Sequence, residues 1–235
     1  MNYKIIGKGG DGIIVYPALI YEAFRDNTET YTEKLTDKKY ISKIGTEKLI
    51  NEKYIYDILP SEYDSKFYDK ECHLFHYNLN KSIINNELID TETAIPEFNT
   101  QIIIPFFKGD KLSFVLENVE LTNHQSYNLL VKLIKLYDVI DILNNTYNIY
   151  HKDISTRNIL YNVEKNKIRL IDYSRSRHPS KKSVPEYKNK DTNTMIEIIN
   201  TVIIKINTSF KISIPSVQTI EDIKSNKSAI KMLLI

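Results

Sequence analysis

The stretch from His151 to Asp172 constrains this 235-residue chain more than any other. It opens His151-Lys152-Asp153-Ile154-Ser155-Thr156-Arg157-Asn158 and runs into the apolar Ile159-Leu160-Tyr161. It returns through Ile168-Arg169-Leu170-Ile171 to Asp172. The two apolar runs flank a polar turn from Glu164 to Lys167, so they read as paired strands. Pairing brings Asn158 and Asp172 to one end of the hairpin. An amide oxygen and a carboxylate there suit a hard, oxygen-preferring cation such as magnesium. Asp153 lies five residues before Asn158 and would accept the proton of an attacking hydroxyl. His151 reads as a packed imidazole bonded to backbone rather than as a base. The plainer alternative is a surface hairpin with two polar ends. The agreement of residue types, spacings and flanking apolar runs favours a site.

The rest of the chain reads as two textures. Residues 1–17 hold four glycines between Gly7 and Gly12 and predict two short strands around a glycine turn. Residues 21–38 are polar and read as a surface excursion. A strand is expected over Lys39–Ile44. A helix follows over Glu47–Leu59, with Leu49, Tyr54 or Ile55, Ile58 and Leu59 at helical spacing and Pro60 as its stop. Residues 72–79 and 81–89 are ambiguous between strand and helix. Gln101–Phe107 is a continuous apolar strand, buried on both faces, that ends in the turn Lys108-Gly109-Asp110. The longest helical pattern covers Asn123–Leu143, and another covers Thr192–Ile206. A lysine- and serine-rich tail with a short terminal helix closes the chain. A boundary between two lobes is expected near Lys108–Ser113.

Two further groups of residues carry chemistry. Gly7, Gly9 and Gly12 stand in a G-x-G-x-x-G pattern, which lets backbone approach phosphates closely. Ile14 would cover an adenine ring. A glycine-rich hairpin without a ligand is the alternative. Strand residues after the last glycine, and Pro17, argue against a dinucleotide-binding helix. Lys43 stands on the next strand. Glu47 and Glu52 on the following helix are its candidate partners. Glu52 is preferred, because Ile55 and Leu59 lie three and seven residues on and would pack the same side. A separation of nine residues is short for such a pair.

Together these motifs resemble those of the protein kinase-like superfamily, and most closely those of the serine/threonine kinases of large DNA viruses. The resemblance runs from about Ile6 to Glu186. It implies an α+β, bilobal kinase-like fold as a single domain over residues 1–235. A small sheet-rich N-lobe would span about 1–108, and a reduced helical C-lobe about 109–235. It implies ATP in the cleft, phosphates under Gly7, Gly9 and Gly12, and Lys43 on those phosphates with Glu52 orienting it. Asp110 would approach the ribose, Asp153 would be catalytic, and Asn158 and Asp172 would bind magnesium. The expected activity is transfer of the γ-phosphate of ATP to a serine or threonine hydroxyl of a protein substrate.

The chain also departs from that family. Asp172-Tyr173-Ser174 replaces the usual D-F-G. Ser155 stands where serine/threonine kinases carry lysine, and Arg157 resembles a tyrosine-kinase arrangement. Ser183-Val184-Pro185-Glu186 resembles the end of an activation segment, but a short one. Only 49 residues follow Glu186, so a partner completing the C-lobe is an open expectation. A silent pseudokinase that binds nucleotide or protein, and a small-molecule kinase, are the competing readings.

Composition narrows the class. Lys plus Arg is 32 against 30 for Asp plus Glu, so no concentrated basic excess marks a nucleic-acid binder. A single cysteine, Cys72, excludes an internal disulfide and a cysteine-rich zinc site. No apolar run approaches the roughly 20 residues of a membrane span. The expectation is a soluble intracellular protein, in host cytoplasm or virion if it is viral.

Overall fold

The computed structural model of the chain describes residues 4–9, 12–18, 39–76, 100–179, 189–219 and 221–222. The surface excursion expected at 21–38, the segment 77–89, the end of the activation segment and the last residues of the tail lie outside these. Among the described residues the architecture is mixed α+β, with two sheets and four α-helices. The chain forms two compact units, one of Met1–Leu59 with Asp69–Phe106 and one of Pro60–Tyr68 with Phe107–Ile235. Among the described residues no helix is long and apolar enough to cross a membrane.

The first unit is a five-stranded antiparallel sheet with one helix. Its strands are β1 (Lys4–Gly9), β2 (Gly12–Tyr16), β3 (Tyr40–Gly45), β4 (His73–His76) and β5 (Thr100–Pro105), in the order β1-β2-β3-β5-β4. The apolar run of β5 occupies an interior position between β3 and β4, and Ile102 and Ile103 are buried. Thr100–Ile103 are buried with a partner strand on each edge, a setting that needs no polar alternation, but the strand stops at Pro105, short of the expected Phe107, and Ile104 and Pro105 are half-buried. The ambiguous segment at 72–79 resolves at its start as β4, a four-residue strand defined by its pairing with β5.

Helix α1 (Lys48–Ile58) ends at Leu59, and Pro60 follows. Ile55 rather than Tyr54 faces inward: Ile55 is fully buried and Tyr54 is exposed. Glycine is required at one point of the hairpin. Gly12 has φ +153°, and a Cβ there would strike the Ile44 carbonyl oxygen across the sheet.

The second unit is built on helices. It contains α2 (Leu112–Asn118), α3 (Asn123–Asn145), α4 (Lys190–Phe210) and a small sheet of β6 (Asp110–Lys111), β7 (Ile159–Asn162) and β8 (Lys167–Leu170). Thr122 caps α3: its hydroxyl accepts the Gln125 N–H at 3.2 Å and the Gln125 side chain accepts the Thr122 N–H at 3.0 Å. This reciprocal pair satisfies two of the helix's orphan donors. Leu129, Leu133, Leu136, Ile140 and Leu143 form the buried stripe. The last helix is longer at both ends than the 192–206 pattern predicts. Its polar residues are put to use: Asn207 bonds both backbone groups of Ile214, and Asn200 bonds both backbone groups of Val217. The chain after α4 is thereby tied back along the helix.

Residues 60–68 join this second unit, which a single break near Lys108 does not anticipate. The Leu170 N–H donates to the Phe67 carbonyl at 2.8 Å, and the Tyr68 ring meets the Tyr173 ring edge-on at 6.5 Å. The expected turn at Lys108-Gly109-Asp110 leads into β6, a two-residue strand paired with β7.

Candidate active site

In the second unit, α3 is followed by the buried pair Ile149-Tyr150, and Tyr150 forms an antiparallel bridge with Arg177. That bridge pins both ends of the segment carrying His151, Asp153, Asn158 and Asp172. His151 is buried. Its Nε2 lies 3.0 Å from the Ile171 carbonyl and donates to it, while Nδ1 accepts the Asp153 N–H at 3.3 Å. One ring donates and accepts, which is the neutral imidazole. It ties the backbone ahead of Asp153 to that ahead of Asp172. Its role is positional, as the sequence suggests.

A residue that the sequence reading missed holds the loop from below. Asp191, in the first turn of α4, is buried and accepts the His151 N–H at 2.7 Å and the Lys152 N–H at 2.9 Å. Lys152 has φ 66°, a left-handed conformation that a side-chain-bearing residue adopts at a cost. The two bonds to Asp191 hold it there. Burial pushes the Asp191 carboxyl above its ordinary value, against the pull of His151 and the two backbone donors.

Burial also pushes the His151 imidazole below its ordinary value of 6.5, although Asp191, the Ile171 carbonyl, Asp172 and Asp153 all favour the charged ring. A depressed folded value means that the unfolded chain binds the proton more readily. This contribution to stability is therefore fully present above about pH 6.5 and is lost as the pH falls through the depressed value. The limiting slope is about 1.4 kcal/mol per pH unit. Asp191 works in the opposite sense, so the two must be separated. We expect the midpoint of urea unfolding to fall between pH 7 and 5 in wild type, and less steeply in His151→Gln. Equal slopes would assign the acid sensitivity elsewhere.

The hairpin forms, with the Asn158 backbone one step from Asp172, and the Asn158 side chain lies against Asp153. The Asn158 amide donates to the Asp153 carbonyl at 2.8 Å and to Asp153 Oδ2 at 3.2 Å. The Asn158 carbonyl accepts the Ile171 N–H at 2.9 Å, which extends the β7–β8 pairing by one step and sets Asp172 beside it. Asp172 itself has φ 67° and ψ 69°, and its Oδ1 accepts the Ser174 hydroxyl at 2.8 Å. The short 3₁₀ turn Tyr173–Arg175 then brings Arg175 Nη1 to 3.8 Å from Asp153 Oδ1.

The donor set fits magnesium in one specific way. The Asn158 NH₂ is committed to Asp153, so its Oδ1 is the atom it has left to offer. That oxygen and the Asp172 carboxylate are hard donors. Among the described residues no three His, Cys, Asp or Glu side chains converge. Two such oxygens would suit a magnesium ion that also bound phosphates better than one held in a closed protein cage.

The first unit holds the other predicted residues. Gly7, Gly9 and Gly12 lie on the β1–β2 hairpin, with Gly9 opposite Gly12 and Gly7 opposite Ile14. The Ile14 side chain lies over Gly7, where an added Cβ would meet it at 3.1 Å. Ile14 also stands opposite Lys43 on the other side of β2. Lys43 Nζ and Glu52 Oε2 form a buried ion pair at 2.7 Å. The Tyr56 hydroxyl stands 3.5 Å from the other Glu52 oxygen. Nine residues suffice for this pair because β3 ends at Gly45 and α1 starts at Lys48, so the helix folds straight back. Glu47 sits exposed at the cap of α1. Asp110, in the second unit, is exposed and its backbone pairs with Tyr161.

No protein-family model matches the chain, and no curated protein matches it.

Proposed function

We propose that this chain is a kinase-like phosphotransferase that moves the γ-phosphate of ATP to a protein serine or threonine hydroxyl with magnesium. In this reading the first unit is the sheet-rich lobe and the second the reduced helical lobe of a bilobal kinase-like fold. The observation that carries it is the junction of Asp153 with Asn158, one pairing step from Asp172. Asp153 accepts the proton of the attacking hydroxyl. Asn158 and Asp172 hold the metal. The metal supplies charge neutralisation on the phosphates and geometry for in-line transfer. Lys43, fixed by Glu52, pairs with the phosphates, and Gly7, Gly9 and Gly12 let backbone close over them. Ile14 covers the adenine and Asp110 approaches the ribose.

The test is transfer of labelled phosphate from ATP to a mixed protein acceptor, with magnesium and with a chelator, followed by phosphoamino-acid analysis. Magnesium-dependent phosphoserine or phosphothreonine is expected. Phosphotyrosine alone would move the acceptor to the class suggested by Arg157. A second reading, a nucleotide-binding module without turnover, is favoured by one observation: both Asp153 oxygens and one Asp172 oxygen are already engaged within the chain. ATP-dependent thermal stabilisation with no transfer to any acceptor would select it.

A further inference from the structure

The ion pair between Arg175 and Asp153 is weak as a structural element. It spans 3.8 Å, with the Arg175 side chain 59% and the Asp153 side chain 38% exposed. Water screens a pair of this kind, and it adds little stability. Its position is informative. The 3₁₀ turn after Asp172 delivers the guanidinium to Oδ1, while Asn158 holds Oδ2 from the other side.

We propose that Arg175 is the cation that binds the transferring phosphoryl group, so that it belongs to the phosphate site and not to the scaffold. This rests on the phosphotransferase reading and assigns one more residue to it. The argument is one of distance and charge. An attacking hydroxyl hydrogen-bonded to Asp153 lies about 2.6–3.2 Å from a carboxylate oxygen. Its phosphorus lies about 3–3.5 Å beyond. A guanidinium beside that same carboxylate is within one side-chain adjustment of the γ-phosphate oxygens. Ser155 and Thr156, two and three residues after Asp153, carry no charge. Guanidinium presents a planar fork that matches two phosphate oxygens.

In the step itself, the bond from the hydroxyl oxygen to phosphorus forms as the bond from phosphorus to the β–γ bridging oxygen breaks. ADP leaves with that electron pair, and the hydroxyl proton passes to Asp153. Arg175 exchanges no proton. It donates N–H bonds to the equatorial oxygens, whose charge it offsets, and releases Asp153 as it does so.

The experiment compares the wild-type chain, Asp153→Ala, Arg175→Ala, Arg175→Gln and Arg175→Lys. Initial rates with magnesium-ATP and a mixed protein acceptor are read as kcat and KM separately, with thermal melting of each variant alongside. Arg175→Ala and Arg175→Gln should lose about 100-fold in kcat. Their KM for ATP should stay within about twofold and their melting temperatures should stay at wild type. Arg175→Lys should recover part of the loss, because charge is retained and the fork is not. Unchanged kcat in Arg175→Ala, with Asp153→Ala inactive, overturns this inference and leaves the phosphotransferase reading standing. A faster Arg175→Ala overturns it too, because the pair would then be an inhibitory latch. A loss of kcat that tracks a loss of melting temperature in both Ala and Gln variants overturns it as a scaffold effect. Wild type no more active than Asp153→Ala overturns both.

Discussion

Asp153→Ala is expected to lower kcat by about 10²- to 10⁴-fold, the range for removal of a positioned proton acceptor, with nucleotide binding intact. The geometry separates these effects. Asp153 is part-exposed, so truncation opens no cavity in the core. Asn158 keeps its 2.8 Å bond to the Asp153 main-chain oxygen, which the substitution leaves in place. His151 keeps the Asp153 N–H. The loop should therefore stay folded on Asp191 with Asn158 and Asp172 undisturbed. Single-turnover transfer from prebound ATP is the decisive measurement, because it is independent of product release. Equal single-turnover rates in wild type and Asp153→Ala would remove Asp153 from the chemistry. A lower melting temperature would instead point to a structural carboxylate.

The parts of this arrangement that were legible in the sequence are those that rest on local pattern. The β7–β8 hairpin is announced by two apolar runs around a polar turn, and its register follows from where each run stops. Helix α1 is announced by spacing and by Pro60, and the choice of Glu52 over Glu47 follows from the face that Ile55 marks. Asp191 was not legible. An acidic residue in the first turn of a helix reads as a partner of the helix dipole, and nothing local says that its carboxylate reaches the backbone of His151, 40 residues away. Arg175 was hidden for a related reason. Its place beside Asp153 depends on a 3₁₀ turn after a left-handed Asp172, and a non-glycine residue gives no sign of positive φ. The strands β4 and β6 are too short for period to show, and their partners define them. The docking of residues 60–68 likewise depends on long-range bonds to Leu170 and Tyr173.

The buried pair in the first unit yields the largest expected change in stability. Glu52 is 1% exposed along its side chain and Lys43 10%. Removing one partner of such a pair costs about 3–5 kcal/mol, because the other charge stays in a poorly solvated place. The two single substitutions should not be equal. Lys43→Met takes the cation from a carboxylate in the interior of α1, where the short glutamate side chain cannot reach water. Glu52→Gln leaves the lysine, whose longer stem can carry its ammonium outward. Lys43→Met should therefore be the more destabilising in urea. Lys43→Met combined with Glu52→Leu should recover much of the loss, since apolar replacement of a buried pair is often close to neutral. Activity should follow a different order. Every variant lacking Lys43 should lose transfer, including the double variant that regains stability. That divergence would show that the pair is kept for the phosphates and not for the fold. If the double variant regained transfer together with stability, Lys43 would be a structural cation, and the phosphate ligand of the first unit would have to be sought elsewhere.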